Sequence, residues 1–169
     1  MNITQTPSPN FWEGRGTENP LLVVVHIIQG TLQSADAWFA DENAQVSAHY
    51  GIGLDGTIHQ YVQEKDTAWA NGTIHKPLIA LPRGYEVNPN SYTISIEHEG
   101  YDLAKNPLIQ LQTSAELVWE ICNRWNIPKD RHHIIAHGEI DSVRKPFCPT
   151  PIATRAIIDE IVALVHAKG

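Results

Sequence analysis

Hydrophobic positions fall along this chain in blocks of different period. The run "LLVVVHII" (residues 21–28) is continuous, apolar and β-branched, the pattern of a strand covered on both faces. "SADAWFAD" then predicts a short helix with Ser34 as its N-cap. Residues 49–62, "HYGIGLDGTIHQYV", predict a hairpin, with Asp55-Gly56 as a tight two-residue turn. "SYTISIEHE" (91–99) reads as a strand. Its alternation places Thr93, Ser95, Glu97 and Glu99 on one face and Ile94, Ile96 and His98 on the other.

The second half changes period. Over 113–126, Leu117, Val118, Ile121, Cys122 and Trp125 share one helical face. Thr113 and Glu116 suit a capping box, and Pro128 follows the end. "HHIIAH" (132–137) predicts a short strand. The last segment predicts a helix with Thr150 as N-cap and Pro151 in its first turn. Between hairpin and strand, residues 63–90 carry Pro77, Pro82 and Pro89 and read mainly as loop; a loop of that length in a compact domain is usually functional. Residues 1–20 are polar and rich in Pro and Gly, and predict an arm over the surface. Strands alternate with helices but include one hairpin. The expected fold is therefore a single α/β domain with a mixed central β-sheet flanked by α-helices.

Composition narrows the function. A chain of 169 residues suits one domain and buries roughly 70% of its unfolded surface. It needs no disulfide staples. The formal net charge is -7 and no dense Lys/Arg block occurs, which argues against a nucleic-acid partner. The longest apolar run is too short to span a membrane, and the N-terminus does not read as a signal peptide. No membrane insertion is expected, and the chain is expected to be made in the cytoplasm.

The candidate chemistry starts from two cysteines. Cys122 lies on the apolar helical stripe and reads as core. Cys148 lies in "RKPFCPTP", a Pro-rich loop with no evident structural task. His26 interrupts an apolar strand. Taken alone, it is either a satisfied core histidine or a ligand, because a buried imidazole without a partner is costly. His137 ends a predicted strand, where α/β proteins place their chemistry, and Cys148 follows it by 11 residues. His26, His137 and Cys148 form a candidate zinc set of three protein ligands plus one open position, the catalytic rather than the structural arrangement. Glu97 is either part of a solvated sheet face or a general base beside a metal.

At this point the chain resembles the zinc-dependent N-acetylmuramoyl-L-alanine amidases, the type-2 amidase family that includes phage endolysins and peptidoglycan recognition proteins. The resemblance runs from about Leu21 to Pro149 and rests on five segments in order: "VVVHIIQG", "SAHYGIGLDGTIHQYV", "TAWANG", "NSYTISIEHEG" and "HIIAHGEID…KPFCP". It implies an amidase catalytic domain over 21–169, with the zinc cleft at the strand ends. It implies Zn2+ held by His26, His137 and Cys148, with Glu97 as general base and Lys145 as electrophilic partner. Here the chain departs from the family pattern: Lys145 precedes Cys148 by three residues, where the family lysine precedes its ligand by two. Arg144 is the substitute. Trp69, Asn71 and His75 on the long loop, with Arg144, are expected to line the substrate groove, although Trp69 reads equally as a core residue. His49 is expected to pack and hydrogen-bond, and Glu139 either to support His137 or to be solvated.

The implied reaction is hydrolysis of the amide between N-acetylmuramic acid and L-alanine in peptidoglycan, with glycan strand and stem peptide as partners. Two alternatives stay open: a cytoplasmic recycling amidase acting on anhydro-muropeptides, and a non-catalytic peptidoglycan-binding module. Absence of a signal peptide fits the recycling role and equally an endolysin released to the cell wall by a holin.

Overall fold

The computed structural model describes residues 1–151 and 156–168. In chain order the strands are β1 (Ile3–Gln5), β2 (Phe11–Trp12), β3 (Leu22–Ile27), β4 (Tyr50–Ile52), β5 (Ile58–Gln60), β6 (Thr67–Ala68), β7 (Thr93–His98) and β8 (Ile134–Ala136). The α-helices are α1 (Leu32–Ala40), α2 (Leu108–Trp125), the single turn α3 (His137–Ile140) and α4 (Ala156–His166). Six strands form one mixed sheet in the order β1-β5-β4-β7-β3-β8. Only β4 and β5 pair antiparallel within it. β2 and β6 form a separate antiparallel pair.

β3 lies between β7 and β8, and every one of its residues is buried. Its alternation is therefore hidden in composition but decides packing. Val23, Val25 and Ile27 point with Ile94 and Ile96 into a core closed by Leu117, Val118 and Ile121 of α2 and Ile158 and Ile161 of α4. Leu22 and Val24 point the other way, into a smaller cluster with Tyr92, Ile135 and Ile140 that the long loop covers through Ile74, Ile79 and Leu81. His26 shares the parity of Leu22 and Val24, so it lies on the face away from α2 and α4. On β7, Glu97 takes that same face. His98 takes the helix side, where its ring meets the Ser114 hydroxyl at 2.8 Å.

Several boundaries differ from the sequence reading. The N-cap of α1 is Thr31, not Ser34: its hydroxyl accepts from the Ser34 amide, and the helix starts three residues earlier than the side-chain pattern suggests. The hairpin loop is three residues long rather than two. Gly56 N donates to Gly53 O and Gly53 N to Thr57 O, and Gly56 sits at φ 85°, where a side chain is strained. Helix α2 begins at Leu108 behind Pro107, so Thr113 and Glu116 lie inside it and make no capping box. The extra turn is held by tertiary bonds. Gln110 is fully buried and donates to the carbonyls of Ile52 and Glu99. The strand "HHIIAH" is shorter than predicted, and His137 opens α3 instead of ending the strand. The predicted cap of the last helix abuts residues 152–155, which lie outside the described residues; Thr150 itself donates to Asp102.

Residues 1–20 contribute two strands and a buried cation. β1 pairs parallel with β5 at the sheet edge. Arg15 is buried, and its guanidinium donates to the carbonyls of Glu64, Asn90, Ser91 and Thr93. Its Nη2 also lies 2.7 Å from His49 Nε2, while His49 Nδ1 accepts from the Ser95 amide. His49 thus packs and hydrogen-bonds. Burial and the neighbouring Arg15 cation push its pKa down to about 3.

Candidate active site

Three neighbouring parallel strands end together. Glu97 is the penultimate residue of β7, His26 the penultimate residue of β3, and His137 follows β8 directly. His26 and Glu97 are Cα partners in the ladder, with Nδ1 to Oε1 at 3.8 Å. The His26 and His137 rings lie 4.4 Å apart between centroids. Cys148 arrives on the loop after α3. One ligand-capable atom from each of His26, His137 and Cys148 lies within 4.8 Å of the others.

The cysteine loop is built on Asp141 and Gly138. Asp141 is fully buried, and its carboxylate accepts from the amides of Val143 and Arg144 and from Arg144 Nε. Gly138 N donates to the Cys148 carbonyl at 2.9 Å. A Cβ on Gly138 would stand 2.7 Å from Lys145 O and 3.2 Å from Cys148 O, so the loop lies against a position where only glycine fits. Glu139, buried beside it, accepts from the Ala136 amide and from Arg131; it is not solvated, and it braces the β8–α3 junction.

The hydrogen-bond pattern leaves the ring nitrogens suited to a cation. His137 Nε2 donates to the Asn71 carbonyl at 3.1 Å, which leaves Nδ1 with its lone pair free. His26 Nε2 is buried and has no partner. Such an orphan atom is costly unless something binds it. Burial, reinforced by His137, His98 and Lys145, holds the His26 imidazole well below its ordinary pKa, and burial lowers His137 to about 4, so both rings are neutral near pH 7. Burial and the nearby Glu97 carboxylate raise the Cys148 thiol, so only a bound cation would offset the cost of a thiolate there. This donor set of two neutral imidazoles and one sulfur fits zinc.

Glu97 opens into a cavity of about 320 Å³ that is also lined by Ile28, Trp38, Phe39, Val46 and Lys145. Burial raises its carboxyl to about 7, against the opposing pull of Lys145. Its Oε2 has no hydrogen-bond partner. A second hollow of about 140 Å³ lies beside Cys148, Arg144, Pro146 and Phe147, and shares Ile27, Gln29 and Lys145 with the first. Lys145 thus faces both spaces. Arg144 is committed elsewhere, to Asp141 and to the Thr73 carbonyl.

The remaining candidates are placed differently. Asn71 is buried, and its side-chain amide binds Asn90 and Thr93, so it meets the site through its carbonyl on His137. His75 fastens the long loop: its carbonyl accepts from Ser142 N, and its Nδ1 lies 3.7 Å from Asp141. Trp69 is half-buried against Trp12. Neither His75 nor Trp69 lines the two cavities. Glu99 turns away from them and accepts from Leu54 N at the hairpin. Sequence reasoning passed over Gln29 and Trp38. Gln29 lines both cavities at φ 58°, a non-glycine left-handed residue of the kind that clusters at functional sites. Cys122 is a free core thiol, raised to about 11 by burial.

This arrangement of a mixed sheet with a His, His, Cys and Glu cluster at its strand ends is that of a hydrolase domain. The N-acetylmuramoyl-L-alanine amidase family matches residues 16–151, and the chain belongs to that family. It is 34% identical to N-acetylmuramoyl-L-alanine amidase A of Achromobacter lyticus over 72% of this chain and 65% of that protein, so it spans just under two thirds of that relative's length. It is 30% identical to the 1,6-anhydro-N-acetylmuramyl-L-alanine amidase AmpD of Citrobacter freundii over 83% of this chain and 80% of that one. The crystal structure of a selenomethionine AmpD derivative superposes with a TM-score of 0.75 at 28% identity, covering 94% of this chain and 93% of the other. A mutant endolysin from Bacillus subtilis shares the fold at a TM-score of 0.70 and 18% identity, covering 98% and 99%. Among the described residues, no helix is long and apolar enough to cross a membrane.

Proposed function

We propose that this chain hydrolyses the amide between N-acetylmuramic acid and L-alanine in peptidoglycan, using zinc held by His26, His137 and Cys148. The observation that carries the reading is the cluster of His26, His137 and Cys148, in which one ligand-capable atom of each residue lies within 4.8 Å of the others. Family membership supplies the bond to be cut. Bound zinc supplies Lewis acidity, which lowers the pKa of water and polarises a carbonyl.

The residues of the chain do the rest. Glu97, with one oxygen unpartnered and its carboxyl poised near 7, takes a proton from the attacking water and returns it to the leaving amine. Lys145, facing both hollows, stabilises the charge that develops on the carbonyl oxygen. Arg144 holds the loop through Asp141 and Thr73 rather than meeting the reacting atoms. Asn71 fixes the His137 ring through its carbonyl.

Similarity to AmpD supports a second reading, in which the substrate is a soluble anhydro-muropeptide rather than the intact wall. Mass spectrometry of products tests both. The zinc-loaded protein is offered purified sacculi and, separately, anhydro-muropeptides, with and without a chelator. Free stem peptide from sacculi supports the wall reading, and release from the soluble fragment alone supports the recycling one. Binding to either without cleavage overturns both in favour of a non-catalytic module.

A further inference from the structure

Trp12 lies outside the segment that the family matches. It stands on β2 opposite Thr67 of β6, and 51% of it is exposed. A pair of two-residue strands is marginal by itself. This one is pinned. Gly14 N donates to Asp66 at 2.8 Å, Thr67 Oγ1 to Gly14 O at 2.7 Å, and Ser47 Oγ to Asn10 O at 2.5 Å. Trp12 packs on Trp69 with centroids 5.5 Å apart and planes tilted by 55°. A large aromatic ring is therefore held in place with one side open to solvent, and little freedom remains to be lost on contact.

The pair continues the wall of the candidate active site. Trp69 exchanges two hydrogen bonds with Ser47, and the preceding Val46 lines the cavity that holds Glu97. Asn10, two residues before Trp12, donates to the carbonyls of Phe39 and Val46, both on that wall. Two residues beyond Trp69, the Asn71 carbonyl holds His137. Beside the ring, charge is turned inward: Asp66 is buried on the Gly14 amide, and the Arg15 cation is buried against backbone carbonyls. The C–H face of a pyranose is apolar and weakly positive at its hydrogens, which suits the negative face of an indole.

We infer that the Trp12–Trp69 pair is a glycan-holding subsite, where a neutral pyranose of the peptidoglycan strand packs on Trp12 beyond the sugar whose amide is cut. The inference rests on the amidase reading and adds a second contact point on the glycan.

The test compares two substrates in each enzyme preparation: a muropeptide with a single sugar, and one carrying a glycan of four or more sugars. Their ratio of kcat/KM does not depend on the folded fraction. Wild-type protein is expected to favour the longer glycan. Trp12→Ala is expected to lower kcat/KM on the longer substrate roughly three- to tenfold, through KM, and to leave the single-sugar substrate within about twofold. Trp12→Phe, which keeps an aromatic face and strand propensity, should retain most of the preference. A wild-type ratio near one, or a ratio unchanged by Trp12→Ala, overturns the subsite. Failure of wild-type protein to cut either substrate would instead overturn the amidase reading.

Discussion

His26 and Glu97 face each other across the β3–β7 ladder as register partners, with Nδ1 and Oε1 at 3.8 Å. That distance is too long for a hydrogen bond. Glu97 is therefore not consumed in orienting the ring, and its Oε2 has no partner at all. Glu99, two residues on, is bound to the hairpin through Leu54 N. Glu97→Gln is expected to reduce turnover by about 10²–10⁴-fold with zinc content and fold retained. Glu99→Gln should change turnover far less. Steady-state amide hydrolysis showing the reverse order would move the base to Glu99.

Lys145 and Arg144 are neighbours with different commitments. Lys145 faces both hollows, whereas Arg144 is held by Asp141 and Thr73. Loss of a single donor to a developing oxyanion costs roughly 10²–10³-fold in kcat. Lys145→Met should show a loss of that order with KM little changed. Arg144→Gln should act mainly on loop stability, seen as a lowered Tm. A kcat loss confined to Arg144→Gln would exchange the two roles.

Metal analysis of the purified protein is expected to give about one zinc per chain, as a single three-ligand site requires. Cys148→Ala should lose that zinc on dialysis against a mild chelator, while Cys122→Ala, in the core and away from the cluster, should keep it. Stoichiometric zinc surviving in dialysed Cys148→Ala would remove the sulfur from the ligand set.

Glu64 gives a pH-dependent stability that is separate from catalysis. Burial alone would raise its pKa, but hydrogen bonds from Arg124, Tyr50 and Trp125 outweigh burial and lower it. A carboxyl depressed in the folded state stabilises the protein above its unfolded pKa of about 4.3, and that contribution is lost as pH falls through the folded value. Glu64→Gln is expected to destabilise by about 1–3 kcal/mol near pH 7. The gap to wild type should narrow as the pH drops through and below 4. Denaturant titrations with a gap independent of pH would contradict the ionised network.

What the sequence discloses depends on how local each cause is. His26 was visible because a polar ring stands out in a β-branched run, and Cys148 because a Pro-rich loop gives a cysteine no packing role. The face that Glu97 shares with Thr93 and Ser95 followed from strand alternation, since a period of two survives in sequence, but its place opposite His26 needed the β3–β7 register. The start of α2 did not follow: it depends on Gln110 reaching Ile52 and Glu99, residues that pairing of distant segments brings near. Arg15 was equally hidden, because its acceptors are backbone carbonyls that leave no mark on side-chain pattern. The cavity walls at Gln29 and Trp38 needed the fold before they could be seen.

β1 covers β5, and it does so with only three residues, Ile3 to Gln5, continued by the Thr6 and Ser8 amides on the carbonyls of Gln60 and Tyr61. Proteolytic loss of the first seven residues would uncover β5 as a bare edge with open amide and carbonyl groups, a surface that recruits other strands. The clipped protein would keep every residue of the candidate active site and Trp12 as well, yet it would self-associate as its concentration rises. Intactness of this short leading segment therefore bears on shelf life and formulation rather than on turnover, and preparations should be judged by light scattering as well as by activity.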